Sequence, residues 1–381
     1  MKQSDPNRSR PREAFTLIEL LVATAILLIV MVMMLQMTGG VGQIWKSSAG
    51  KISAFQNARS AFSTVSRTLS RATLNTYNDY VDASGNPRTA SNSTNFSPAK
   101  FLRASELQFI AGPASAIVPG ANGTNNPGSA AFFQAPLGET DTSALRSLNR
   151  TVNSTGFYIE YGTPDDALLP SWLKPLFGAT KRFRLMQFVE PTENLQVYNS
   201  TAASGYDLNW LQTFKTPRDA TQPRARVLAE DVPLLVMRPR LTPKDEEAVA
   251  SSLSASYSDT TRGSILSPNY HYDSRAWETG YPSGQRVAAA TAPTVRSGIM
   301  RNQVPPIVDL AMVSVDRRSL ARFGSPTDPP DALKVPAGLF TDSSKLEADL
   351  ATYGKQLSDA HIRYRIFRTS VEIQGAKWSN N

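Results

Sequence analysis

From Phe15 to Met37 the chain reads FTLIELLVATAILLIVMVMMLQM, 23 residues with a single charge. As an α-helix rising about 1.5 Å per residue, this run spans the roughly 30 Å hydrocarbon core of a bilayer. The residues before it, Met1 to Ala14, are polar and carry Lys2, Arg8, Arg10 and Arg12 against Asp5 and Glu13. Positive charge on that flank predicts a cytoplasmic N-terminus and an exported body. A conventional secretory signal fits poorly, because its apolar stretch runs to about 7 to 15 residues and ends at a small-residue cleavage site. Here the apolar run is longer, no A-x-A site follows it, and the small residue, Ala14, stands in front.

Glu19 is the one charge in the run. A charged side chain inside a membrane segment costs on the order of 2.5 to 3.5 kcal/mol at the bilayer centre, less near the edge, and signals function. It needs a partner. Cleavage between Ala14 and Phe15 would free an α-amino group four residues before Glu19. That cation suits Glu19 within one helix or, when helices pack side by side, across to a neighbour, where the pair would check register during assembly.

The stretch Phe15-Thr16-Leu17-Ile18-Glu19-Leu20-Leu21-Val22 resembles the processing motif of type IV prepilins and type II secretion pseudopilins nearly residue for residue. The resemblance implies a membrane-embedded prepilin peptidase that cuts after Ala14 and methylates the new Phe15 amino group, with Glu19 as the acid that aids assembly. Those families usually have Gly where this chain has Ala14. The competing reading is an uncleaved signal anchor with Glu19 near the headgroups. Further along, Leu69-Ser70-Arg71-Ala72, Arg226 to Val232, Val304 to Leu310 and Tyr364 to Thr369 resemble the minor pseudopilin J and minor pilin W type, although this chain is longer. A narrower resemblance is to the Verru_Chthon cassette protein C group of long prepilin-like proteins.

Gly39, Gly40 and Gly42 predict a bend or melted turn where the helix leaves the bilayer, since glycine weakens helicity by roughly 1 kcal/mol relative to alanine. Beyond them Trp45, Ala49, Ile52, Phe55, Ala58, Phe62, Val65, Leu69 and Ala72 recur every three or four residues. With Lys51, Arg59, Arg67 and Arg71 mostly off that stripe, Ile44 to Leu74 reads as an amphipathic helix laid on a sheet. A coiled-coil seam is the alternative, and too few heptads sustain it. After Tyr80 short apolar segments alternate with Gly, Ser, Asn and Pro. Strands are expected at Glu106–Ile110, Ala131–Ala135, Gly156–Tyr161, Lys181–Glu190, Arg226–Met237, Ile307–Val315 and Ile362–Ile373. Long loops are expected at Pro191–Arg224 and Pro243–Asn302. A late helix is expected where Ser344 and Glu347 have capping-box spacing. The fold class is therefore α+β and pilin-like: a long N-terminal helix, half membrane and half amphipathic, on a mainly antiparallel sheet with long loops. Its segments are a leader at 1–14, an assembly helix at 15–38, its amphipathic continuation at 39–80 and an exported β-rich body at 81–381.

No catalytic constellation accompanies this plan. The chain has no cysteine, which excludes disulfides, thiolate metal sites and a Cys nucleophile together. His271 and His361 lack ligand spacing. Ser48 with Lys51, and Ser97 with Lys100, match Ser-x-x-Lys, but no Lys-Thr-Gly follows, since Lys215-Thr216 runs into Pro217. Asp141-Thr142-Ser143 has no second segment to form an aspartic dyad. Asp245, Glu246 and Glu247 suit a helix N-terminus better than acid–base work. No cofactor or metal is expected. The formal charge of +8, or +6 without the leader, is scattered, with no run of five like charges. A nucleic-acid partner is therefore not expected, although an adhesin or DNA-binding protein on the same anchor is the alternative function. The expected function is a non-catalytic minor pilin or pseudopilin in the inner membrane. Its partners would be prepilin peptidase and other pilin or pseudopilin subunits, with its body periplasmic or in a fibre.

Overall fold

The computed structural model describes residues 16–84, 88, 92–118, 120–162, 181–198, 210, 224–253, 255, 257–275, 299–324 and 327–378, with backbone alone for 38–54. Two compact units are present, Met1–Ser53 and Ala54–Asn381. Helix α1 (Leu17–Ser70) begins in the first and ends in the second.

Within the first unit, Leu17–Met37 has a mean hydropathy of 2.8 and none of it is buried. Fully hydrogen-bonded backbone and apolar surface on every side are what a lipid solvent requires of a spanning segment. The helix continues through Gly39, Gly40 and Gly42, where the sequence predicts a bend or melted turn. Propagation explains the difference. Each glycine costs about 1 kcal/mol, whereas restarting a helix repeats a nucleation penalty of about 10⁻³ in equilibrium constant, roughly 4 kcal/mol.

In the second unit α1 buries Ala58, Ala61, Val65 and Leu69, spaced at three and four residues, while Arg59, Arg67 and Arg71 stay exposed. This is the amphipathic stripe read from the sequence. The helix ends at Ser70, ten residues short of the expected Tyr80 boundary, and residues 77–81 form a strand instead. Long-range pairing stops it: the Thr73 N–H donates to the Gln134 carbonyl at 2.9 Å, and Asn75 takes the left-handed conformation at φ 46°.

The eleven described strands are β1 (Tyr77–Val81), β2 (Lys100–Ala104), β3 (Ile110–Pro113), β4 (Ser129–Pro136), β5 (Val152–Gly162), β6 (Arg182–Glu190), β7 (Ala225–Glu230), β8 (Leu234–Arg240), β9 (Tyr272–Asp273), β10 (Ile307–Val315) and β11 (Tyr364–Glu372). Every pairing among them is antiparallel. They form a six-stranded sheet in the order β7-β6-β5-β4-β3-β9, a three-stranded sheet β11-β10-β8 and the hairpin β1-β2. The α+β expectation holds. Phe62 on α1 packs on β11 through Phe367, with ring centroids 5.8 Å apart.

Two glycines carry the closest packing. At Gly156 a Cβ would run into the Phe132 ring on the neighbouring strand, and at Gly128 (φ 75°) it would run into the Leu235 carbonyl of the other sheet. Around them Phe109, Phe132, Phe133, Phe157 and Phe188 are fully buried.

Several boundaries differ from the sequence reading. The strand expected at Arg226–Met237 is two strands in different sheets, because Asp231 at φ 59° turns the chain from β7 into β8. The strand expected at Glu106–Ile110 starts only at Ile110, since Gln108 spends its N–H on the Gln134 side chain and its amide on Asp273. The Pro243–Asn302 loop contains helix α2 (Pro243–Ser252) and β9. Helix α3 (Leu346–Asp359) follows a helical turn capped by Asp342, which accepts from the Ser344 N–H at 3.0 Å. Glu347 pairs with Arg368 rather than closing the expected capping box with Ser344.

Candidate functional site

The N-terminus of α1 is built by one local exchange. Glu19 Oε2 accepts from the Thr16 N–H at 2.9 Å and from the Thr16 hydroxyl at 3.0 Å. In return the Glu19 N–H donates to Thr16 Oγ1 at 3.4 Å. Thr16 is thus the N-cap and Glu19 the third helical residue of a capping box, which satisfies donors that the first turn would otherwise leave orphaned in an apolar setting. The negative charge also lies at the positive end of the helix dipole. The carboxylate therefore has a partner in its own chain, supplied by the Thr-x-x-Glu spacing rather than by a counter-charge. Ala14 and Phe15, the expected cleavage and methylation positions, lie outside the described residues.

From Leu17 onward the capped helix presents lipid-sized surface. Leu20, Leu21, Ile26, Leu27 and Leu28 are each more than half exposed, on all sides of the helix. A family model for the prokaryotic N-terminal methylation motif matches residues 9–35, the interval that holds the end of the basic leader with Arg10 and Arg12, Ala14, Phe15, Glu19 and most of the apolar run. The N-terminus therefore carries a methylation motif of the prepilin and pseudopilin type. No curated protein and no solved structure matches the chain.

The other residues singled out in this prepilin-type chain have structural surroundings. Asp245 and Glu246 sit in the first turn of α2, where Thr242 caps the Asp245 N–H at 3.3 Å. Glu246 is buried and accepts from the N–H groups of Gly263, at 2.8 and 2.9 Å, and Ile265, at 3.1 Å, tying a loop to the helix. Asp141 and Thr142 turn around Glu193, which accepts their N–H groups at 2.8 and 2.7 Å. Backbone hydrogen bonding at Glu193 itself, then the hydroxyls of Thr142 and Thr140, hold that carboxyl down to about 2 against desolvation. His271 is buried, and burial pushes its imidazole down to about 4, so it is neutral at physiological pH. Among the described residues no three His, Asp or Glu side chains converge as metal ligands would. Lys100 opens β2, and the side chains of Ser48 and Lys51 lie outside the described residues.

Proposed function

We propose that the chain is a minor pilin or pseudopilin: a non-catalytic structural subunit cut by prepilin peptidase between Ala14 and Phe15, methylated at Phe15, and assembled with other subunits into a type IV pilus or type II secretion-like fibre. The observation that carries this reading is the methylation motif at residues 9–35 running into an apolar helix with no buried residue. In lipid such helices associate by van der Waals packing and by interhelical polar contacts, and Glu19 is the polar group placed to make one. The basic leader holds the N-terminus in the cytoplasm, and the body is exported. Bulk favours a minor role, since a second unit running from Ala54 to Asn381 would crowd a densely repeated shaft.

Three substitutions separate the two tasks of the first turn. Glu19→Gln keeps an acceptor for Thr16 and loses the charge, Glu19→Ala loses both, and Thr16→Val loses the hydroxyl alone. Incorporation into sheared fibres, measured against total membrane protein, is expected to fall roughly tenfold or more for both Glu19 variants, the equivalent of about 1.4 kcal/mol or more. Thr16→Val should fall by less than half that factor. Normal incorporation of Glu19→Gln with failure of Glu19→Ala would make Glu19 a helix cap and remove its assembly role.

A further inference from the structure

Strand β11 ends the three-stranded sheet and has a neighbouring strand, β10, on one side only. The Asp316 N–H donates to the Arg363 carbonyl at 2.8 Å, and the Ile373 N–H to the Pro306 carbonyl at 3.0 Å. In an antiparallel ladder every second residue turns both backbone groups to its partner. Arg365, Phe367, Thr369 and Val371 therefore spend theirs on β10, and Tyr364, Ile366, Arg368, Ser370 and Glu372 turn theirs away from it. Among the described residues no backbone group meets that outer row. The strand is nine residues long, its pairing has no bulge, and Arg365, Arg368, Ser370 and Glu372 are exposed. Such an edge is a template for another strand, and proteins guard it with charge.

Beside this edge the charge is mainly of one sign. Alternation along β11 puts Arg368 and Ser370 on the same face. There they line a cleft of about 650 Å³ together with Arg238 and Arg240 of β8, Arg262, Asp309 of β10 and Glu347 of α3. Arg238 and Arg240 are held on Asp309 at 2.7 and 2.8 Å. The other two guanidiniums are held only at the surface: Arg368 pairs with Glu347, which is 71% exposed, and Arg262 pairs at 2.9 Å with Asp259, which is 90% exposed. Surface pairs of this kind contribute little and exchange readily. Glu372 does not line the cleft, so even with Asp259 counted the four arginines outnumber the carboxylates.

A strand added antiparallel to β11 sets every second residue beside Arg368 and Ser370, on the cleft face. Carboxylates at those positions replace the exposed acids on the guanidiniums, with the bidentate geometry that arginine favours. We propose that the free edge of β11 and the basic cleft beside it form one docking surface for an extended acidic segment of another polypeptide, which joins the sheet as a fourth strand. Backbone pairing supplies affinity, and the arginines select the partner. The inference rests on the body alone and stands whether or not the chain is processed or assembles into a fibre.

The probe is a fluorescent peptide alternating Glu and Val over nine residues, the length of β11, titrated against the full chain in a phosphocholine detergent and followed by anisotropy. Saturable binding that weakens as salt rises is expected. A Lys–Val peptide of the same pattern should bind at least about tenfold more weakly. N-methylation at the Glu nitrogens, which face β11 in this pairing, should abolish binding, and N-methylation at the Val nitrogens should leave it. On the protein, Arg368→Glu should weaken binding at least about tenfold. Ser370→Pro removes an outward N–H and no bond to β10, so it should bind more weakly than Ser370→Ala, which loses the same hydroxyl bond to Asp309. Circular dichroism melts confirm that each variant is folded. No binding of the Glu–Val peptide, equal binding of the Lys–Val peptide, or equal binding of the two N-methylated probes overturns the proposal. So do concentration-dependent dimers of the chain that Ser370→Pro dissolves, since these assign the edge to a second copy.

Discussion

Replacing Asp231 by Asn isolates the cost of one buried charge. Burial pushes this carboxyl up to about 6, the charge of Arg182 pulls against that, and Glu230 and Asp316 add to the rise. The ordinary value is 3.8, so the shift of about 2.2 units corresponds to about 3 kcal/mol at 1.36 kcal/mol per unit. The sign follows from linkage. Below pH 3.8 the acid is protonated folded and unfolded, and burial costs nothing extra; between 3.8 and 6 only the unfolded chain ionises; above 6 the full penalty is present. Wild type should therefore lose stability at this residue as pH rises, and the variant should not. Asn is among the few residues at home at φ 59°, so the backbone adds little to the comparison. Urea denaturation of both full-length proteins at pH 4, 5, 6 and 7 measures the difference, which cancels every other titrating group. The variant should gain roughly 2.4 kcal/mol on wild type between pH 4 and 7, because part of the penalty is already present at pH 4. A difference that stays constant within about 0.5 kcal/mol, or that moves against Asn as pH rises, refutes the reasoning.

Gly156→Val should destabilise the body by about 1 to 3 kcal/mol, because the added carbons meet the buried Phe132 ring, and thermal melts would register the loss. Asp309→Ala leaves Arg238 and Arg240 without the carboxylate they share at 2.7 and 2.8 Å, and should cost on the order of 3 kcal/mol. Burial raises the Asp309 carboxyl, but the bonds from Ser370 and Arg238 and the charges of Arg238 and Arg240 outweigh it and leave it below its usual value. Its stabilisation is therefore present at neutral pH and lost as pH falls through that lowered value, so the deficit of Asp309→Ala relative to wild type should shrink in acid; a deficit unchanged down to pH 2 would contradict the pairing.

Much of the architecture was legible where local pattern and tertiary role coincide. Strands β4, β5, β6 and β10 are short apolar runs bounded by turn residues, and the stripe through Ala58, Val65 and Leu69 is the face that α1 buries. The hairpin β1-β2 escaped notice because its large side chains, Tyr80 at 51% and Phe101 at 60% exposure, stack on each other rather than on the core. The turn at Asp231 falls where Glu230, Asp231 and Pro233 interrupt the apolar run, but nothing in that short break says that its two halves join different sheets. The cleft beside β11 gathers residues from β8, the loop after α2, β10 and α3, and no local spacing links them. The N-terminal methylation motif was legible because all of it is local, within residues 9–35.

Mass spectrometry of the intact N-terminus, on protein from membranes with and without prepilin peptidase, tests processing most directly. With the peptidase the mature chain is predicted to begin at N-methylated Phe15, and without it to retain residues 1–14. A chain that keeps Ala14 under both conditions would make the segment an uncleaved anchor and leave Glu19 without the amine on which the assembly role depends.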